Sequence, residues 1–142
     1  MTISQALKEK NKKLAKISSV FSKISSYNSR VIGSESVYDL DKLWDEYNRL
    51  IAELIDLKTK IHKASEPVRS DIFALSELKT KIRSISGLST QAGPQRNAYS
   101  SDIIQMTAHF DTLWKDSQIE SIQTLIDTIQ EKLDLFNHTT SI

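Results

Sequence analysis

Apolar residues recur every three or four positions along most of this chain, which is the pattern of amphipathic helices. The first helix is predicted to begin with Ser4 as its N-cap and to end near Tyr27. A third helix is predicted between Pro67, which suits a first helical turn, and Gly87. Between them, Asp39 is the predicted N-cap of the clearest helix, whose apolar stripe comprises Leu40, Leu43, Trp44, Tyr47, Leu50, Ile51, Leu54, Leu57 and Ile61.

The C-terminal part of the chain changes period before it returns to helix. Over residues 104–110, apolar and polar side chains alternate, which predicts an extended arm or a short strand too isolated to form a sheet alone. Residues 111–116 are predicted to form a turn around Trp114. Ser117 and Glu120 have the spacing of a capping box, so the last helix is predicted to begin there.

These elements predict one all-α domain over residues 1–142, built of about four helices. Short connections favour antiparallel neighbours, so we expect elongated helical hairpins with one extended arm. Such hairpins leave apolar surface uncovered, and four large aromatic side chains add to it: Trp44, Tyr47, Phe73 and Trp114. Oligomerisation with closed symmetry is therefore predicted to complete the core.

Charge and composition narrow the functional classes. The net charge is +1, which is too small for a protein that binds the nucleic acid backbone over a large surface. Basic residues are concentrated within positions 1–30 and acidic residues within positions 101–142, a distribution that favours packing of oppositely charged helices over a polyanion site. The chain has no cysteine, no apolar run long enough for a membrane span and no signal-peptide pattern, so we expect a cytoplasmic protein.

Catalytic motifs are missing from the sequence. His62, His109 and His138 stand far apart, without the carboxylate or histidine spacing of a metal site. A phosphate-binding glycine loop, a serine-nucleophile motif and a thiol nucleophile are also lacking. We therefore predict a binding protein rather than an enzyme, with no metal and no cofactor.

Residues 91–101 differ from the rest because Gly93-Pro94 interrupts helix formation and leaves backbone donors without helical partners. Arginine forks suit phosphate oxygens, a tyrosine ring suits a base, and asparagine amides suit base edges or ribose hydroxyls. The predicted ligand-binding side chains from this region and the helices around it are Arg69, Arg83, Arg96, Asn97, Tyr99 and Asn137. The alternative is that these arginines pair with acids on a helix surface, namely Glu66, Asp71 and Glu77.

Several short segments, in order along nearly the whole chain, resemble the septicolysin-like family of small helical bacterial and phage proteins. Those segments are Ser4-Gln5-Ala6-Leu7, Asn28-Ser29-Arg30-Val31, Leu50-Ile51-Ala52-Glu53-Leu54-Ile55 leading to Ile61, residues 96–103, and Asn137-His138-Thr139-Thr140. The resemblance implies a helical oligomer, up to a hexamer. It also implies the activity of phage Thoeris anti-defence sponges, which sequester cyclic ADP-ribose isomers made by host TIR-domain enzymes, and in some cases cyclic oligonucleotides at separate sites.

From this resemblance, Asn137 and Thr139 are expected to close the ligand pocket. Asn28 and Arg30 belong to a separate turn, so they are expected at a second site or a subunit contact. A phage-encoded chain would then act in the cytoplasm of its host. The competing interpretation is a helical structural or protein-interaction module without a nucleotide ligand, in which exposed apolar seams recognise partner helices. A pore-forming role, suggested by the family name, is disfavoured because no segment suits a bilayer.

Overall fold

The computed structural model describes residues 1–142 and is mostly helical, with a small two-stranded sheet. Its elements are α1 (Ile3–Tyr27), α2 (Leu40–Ala64), a 3-10 turn (Glu66–Val68), α3 (Arg69–Ser86), β1 (Gly93–Arg96), β2 (Ile103–Met106) and α4 (Thr112–Thr139). They form two compact units, the first comprising Met1–Val68 and Asp134–Ile142 and the second Arg69–Leu133. The prediction of one domain over the whole length stays a prediction.

Helix α1 is capped two residues earlier than the predicted N-cap at Ser4. Thr2 is the N-cap of α1: its hydroxyl accepts a hydrogen bond from the Gln5 amide, and the Gln5 side chain accepts one from the Thr2 amide. This reciprocal capping box satisfies two backbone donors at once, whereas a cap at Ser4 would leave Gln5 without its role. The prediction for α2 is confirmed, since Asp39 caps it by accepting from the Lys42 amide.

Helices α1 and α2 pack side by side in antiparallel directions. The Phe21 ring lies 5.3 Å from the Tyr47 ring, and Tyr47 stacks on Trp44 at 5.5 Å. The predicted stripe of α2 supplies the buried side chains Leu50, Leu54 and Leu57, which α1 matches with Ile3, Ala6 and Val20.

An ion-pair network crosses from α1 to α2 beside this apolar contact. The Lys13 ammonium lies 2.7 Å from a Glu53 carboxylate oxygen, and the other Glu53 oxygen lies 2.6 Å from the Arg49 guanidinium. These hydrogen bonds, that of Lys13 first and that of Arg49 second, hold the pKa of Glu53 below its usual value of 4.5. The carboxylate is therefore more favoured in the folded chain than in the unfolded one.

The two ends of the chain meet in the first unit through backbone hydrogen bonds. The Ile3 amide donates to the Thr140 carbonyl at 2.9 Å, and the Ile142 amide donates to the Met1 carbonyl at 3.1 Å, around an antiparallel bridge between Thr2 and Ser141. Ile3 is almost fully buried beneath this bridge. Residues that follow the last helix thus fix the start of the first one.

In the second unit, α3 and α4 run antiparallel. The Lys132 ammonium near the end of α4 lies 2.7 Å from the Asp71 carboxylate near the start of α3. At the opposite end, the Lys115 ammonium donates to the carbonyl of Leu88, just beyond α3, at 2.9 Å. Helix α4 buries Ile122, Ile126 and Leu133, whereas α3 buries no residue at all. The apolar side of α3 is therefore left partly uncovered.

The start of α4 corrects two predictions. Residues 111–116 are not a separate turn, and Ser117 is not the N-cap, because the helix already begins at Thr112. The Asp111 carboxylate accepts a hydrogen bond from the Trp114 amide at 2.8 Å, as an N-cap does. The Phe110 ring stacks on the Trp114 ring with centroids 3.9 Å apart, which fixes the chain as it enters the helix.

The extended segment is a strand, but it is paired rather than isolated. Strand β2 pairs in antiparallel register with β1, so that Gly93 faces Met106 and Arg96 faces Ile103. Gly93 has a φ of +79°, a conformation that glycine adopts without strain, and it turns the chain into β1. Part of the predicted central loop is thus the first strand of a hairpin. No helix in the structure has both the length and the apolarity needed to cross a membrane.

Candidate functional site

The hairpin turn over residues 97–102 is closed by hydrogen bonds among its own residues. The Asn97 amide donates to the Asp102 carbonyl at 2.9 Å. Inside the turn, the Asn97 side-chain oxygen accepts from the Tyr99 amide at 3.1 Å, and the Ser100 hydroxyl accepts from the Asp102 amide at 3.2 Å. Asparagine and serine favour this local capping, so the sequence itself shapes the turn.

Three of the predicted ligand-binding residues are Arg96, which precedes this turn, and Asn97 and Tyr99 within it. Arg96 ends β1 and is exposed, and its guanidinium has no hydrogen bond or ion pair in the structure. The Tyr99 side chain is 99% exposed. Asn97 is half-buried and uses its oxygen within the turn, which leaves its amide nitrogen to donate. A cationic fork, an aromatic ring and an amide donor thus occur within four consecutive residues.

Residues 96–102 together carry no net charge, because the Asp102 carboxylate offsets the Arg96 guanidinium. The net charge around the turn would therefore contribute little to the binding of an anionic ligand. It would depend on directed hydrogen bonds from Arg96 and on a second cation from elsewhere.

Arg69 and Arg83 lie at opposite ends of α3. Arg83 is in the last turn, exposed, and donates to the Thr80 hydroxyl at 3.2 Å, while Arg69 is half-buried in the first turn. They are fourteen residues apart, which corresponds to about 21 Å along the helix axis. One pyrophosphate bound to a single copy can therefore contact one of these arginines but not both.

The alternative in which acids neutralise the arginines does not hold for two of them. Asp71 pairs with Lys132 instead, and neither Arg83 nor Arg96 takes part in an ion pair. Arg83 and Arg96 could therefore bind a ligand phosphate without first losing an ion pair to a carboxylate.

The remaining predicted residues belong to the first unit. Asn137 is half-buried in the last turn of α4, and the Thr139 hydroxyl donates to the Leu135 carbonyl at 2.8 Å. Asn28 is the C-cap of α1, and the Arg30 Nε donates to the Ser34 carbonyl at 3.1 Å. Arg30 thus shapes the loop between α1 and α2 as well as carrying charge.

His138 was not among the predicted ligand-binding residues, yet it joins the two ends of the chain. Its Nδ1 lies 2.7 Å from the Asp134 carbonyl and its Nε2 lies 3.4 Å from the Ser4 hydroxyl. A carbonyl oxygen only accepts, so Nδ1 carries a proton and donates to Asp134. The spacing of Ser4 and His138 in sequence gave no signal of this contact.

A surface depression lies on α4 in the second unit. It is lined by Ser117, Glu120, Ser121, Thr124 and Leu125, and contains none of the predicted ligand-binding residues. Its hydroxyls accompany a carboxylate and no cation, a combination unsuited to phosphate. No group of three or more histidine, cysteine, aspartate or glutamate side chains is arranged to hold a metal ion.

Comparison with known protein families, with curated proteins and with solved structures finds no match to this chain. The resemblance to the septicolysin-like family therefore rests on the short segments quoted above. The geometry of the hairpin turn is the feature of the structure that bears most directly on ligand binding.

Proposed function

We propose that this chain is a non-catalytic binding protein that sequesters cyclic nucleotide immune signals. The signals are cyclic ADP-ribose isomers from TIR-domain enzymes, with cyclic oligonucleotides as a second class, and their capture would block host anti-phage defence. The observation that carries the proposal is the hairpin turn, where the unpaired Arg96 guanidinium, the Asn97 amide and the exposed Tyr99 ring lie within four residues. The family resemblance supplies the identity of the ligand.

In this proposal each side chain has a separate task. Arg96 holds phosphate oxygens through paired, charge-assisted hydrogen bonds, and the Tyr99 ring stacks on the base. Asn97 donates to a base edge or a ribose hydroxyl. Because residues 96–102 carry no net charge, a second cation completes the phosphate contact, and Arg83 is the nearest cation along the chain that is free of an ion pair. The family resemblance also implies a binding role for Asn137 and Thr139.

Sequestration needs tight binding without turnover. An arginine, an amide and a phenol hold a ligand through hydrogen bonds and stacking, and the turn adds no general base beside a nucleophile. A protein of this kind must be present at concentrations comparable to the signal and must bind it well below the concentration that activates the defence effector. We therefore propose that the ligand leaves the site chemically unchanged.

A helical structural or protein-interaction module is the second candidate. It is favoured by the apolar surface of α3, where Ile72 is 42% and Phe73 is 63% exposed. An amphipathic helix from a partner would cover such a face. In that case the hairpin turn would bind no nucleotide ligand.

Thermal melting with and without cyclic ADP-ribose isomers distinguishes the two candidates. A ligand present at 1,000 times its dissociation constant stabilises the folded state by about 4 kcal/mol, which is a large upward shift in melting temperature. Chromatography of the ligand released by heat should return the input compound. The absence of any shift with every isomer and with cyclic oligonucleotides would favour the interaction module, and a cleaved product would contradict sequestration.

A further inference from the structure

The two strands of the hairpin pair with each other and with no other strand, so both outer edges of the sheet are open. The hydrogen bond from the Asn97 amide to the Asp102 carbonyl shows which residues direct their backbone N–H and C=O groups toward the other strand of the hairpin. Bonded pairs alternate with non-bonded pairs along an antiparallel ladder, so Gln95 with Ile104 is the next bonded pair. The backbone groups of Ile103 and Gln105 therefore point outward from β2.

The two open edges differ in their capacity to add a strand. On β1, the outward position next to Gly93 is Pro94, which has no amide hydrogen to donate. On β2, Ile103 and Gln105 both retain a donor and an acceptor. The strand contains no charged residue, and Ile103 and Ile104 are 72% and 41% exposed. Charged side chains and prolines are the usual protection of an edge strand, and β2 has neither.

We propose that the open edge of β2 pairs with β2 of a second copy of this chain, in antiparallel direction around a two-fold axis. With Ile104 on the axis, Ile103 of each copy exchanges both backbone hydrogen bonds with Gln105 of the other, and the hairpins join into a four-stranded sheet. The two Ile104 side chains then face each other as a non-bonded pair, where side chains approach most closely.

A second copy is the partner that this edge fits. An antiparallel edge is its own complement under two-fold symmetry, because the same donors and acceptors recur in reverse order. The strand is uncharged, so no like charges oppose its pairing with itself. The pairing also places the turn with Arg96 and Tyr99 of one copy beside the residues that follow β2 in the other. The inference thus rests on the oligomerisation predicted from the sequence and extends it to the candidate site of the proposed function.

Cysteine crosslinking tests the register, since the chain itself has no cysteine. Ile104→Cys should form disulfide-linked dimers under mild oxidation, because the two sulfurs would face each other across the axis. Gln105→Cys is the matched control: in this register its two copies lie roughly 8 Å apart, beyond the reach of a disulfide. Equal crosslinking at both positions, or none at Ile104→Cys, would overturn the proposal.

Amide hydrogen exchange of the unmodified chain gives a second test that needs no variant. The amides of Ile103 and Gln105 should become protected as protein concentration rises, while that of Ile104 is protected at all concentrations by its bond within the hairpin. Concentration-independent exchange at Ile103 and Gln105 would refute the edge contact. Both experiments are performed without ligand, so their failure leaves the melting test of ligand binding unaffected.

Discussion

At the scale of single residues, Arg96 and Glu53 show how partners determine what a charge does. Glu53 is held by two cations across the α1–α2 contact, and its charge contributes to the fold. Arg96 has no such partner, so its charge remains available to a ligand. Substitution of Arg96 is therefore expected to weaken ligand binding and leave stability unchanged, whereas substitution of Glu53 is expected to change stability.

Replacing Arg96 with alanine should weaken binding of the cyclic ADP-ribose signal by roughly 1.5 to 3 kcal/mol, the scale of hydrogen bonds to a charged group. The free energy of unfolding should change by less than about 0.5 kcal/mol, as for other surface positions. Calorimetric titration and thermal melting measure the two quantities, with Arg49→Ala as a control that leaves affinity intact. An unchanged dissociation constant for Arg96→Ala would remove this residue from the site.

Glu53 should make stability depend on pH. Its folded pKa lies below the usual 4.5, so its ion pairs stabilise the fold fully above that pH, and this contribution is lost as pH falls through the folded pKa. Glu53→Gln should therefore lower the melting temperature near neutral pH and reduce the loss that accompanies acidification. Melting curves across this pH range test the claim, and Glu131→Gln, an exposed acid on α4, should leave the profile unchanged.

At the scale of elements, the start of α4 depends on one side chain that short-range pattern did not single out. Ser117 and Glu120 match a capping box, yet Asp111 is the N-cap and the helix begins at Thr112. The stacked rings of Phe110 and Trp114 add an apolar contact across this helix start. A helix that begins at Thr112 has more backbone hydrogen bonds, an N-cap and a ring contact, and is therefore more stable than a shorter helix that begins with the capping box alone.

Substitution of the two possible caps distinguishes them. Asp111→Ala should reduce the free energy of unfolding by about 1 kcal/mol, within the range measured for N-caps. Ser117→Ala should leave it unchanged or raise it by a few tenths of a kcal/mol, because alanine is the better residue inside a helix. Urea titration of both variants gives the comparison. A larger loss for Ser117→Ala would place the functional start of the helix where the capping box suggested.

At the scale of the whole molecule, the exposed apolar surface is the main feature left to explain. Trp44 is 49% and Phe73 is 63% exposed, and α3 has no buried residue despite its apolar stripe. Such surface favours partners, as does the open edge of β2. The sequence also predicts this surplus, since it has more large apolar side chains than one chain of this length can cover.

Light scattering should therefore return a mass that is a multiple of 16.1 kDa at micromolar concentration. Self-association buries apolar surface that the single copy exposes, so the mass should fall on dilution if the contacts are weak. A monomer at all concentrations would contradict both the predicted oligomer and the β2 contact. An oligomer without crosslinking at Ile104→Cys would contradict the β2 contact alone.

The sequence was sufficient for features that depend on neighbours along the chain. The helical character, the cap at Asp39 and the grouping of Arg96, Asn97 and Tyr99 all follow from local periodicity or local hydrogen bonds. The sequence grouped Arg69 with Arg83 among the ligand-binding residues, whereas the structure places them at opposite ends of α3. Contacts within a turn are encoded by adjacent residues, and a pocket assembled from distant ones is not.

The tertiary structure decided the pairings that join residues far apart in sequence. The alternating pattern of residues 104–110 predicts an extended segment, but it does not predict that β2 pairs with β1. A strand pairs with the segment that satisfies its backbone hydrogen bonds, and the fold decides which segment that is. Likewise, Thr2 displaced Ser4 as the N-cap where the first residues meet Ser141 through backbone bonds. Local sequence determined which segments are helices. Hydrogen bonding of backbone groups between distant parts of the chain determined where those helices begin and which residues they contact.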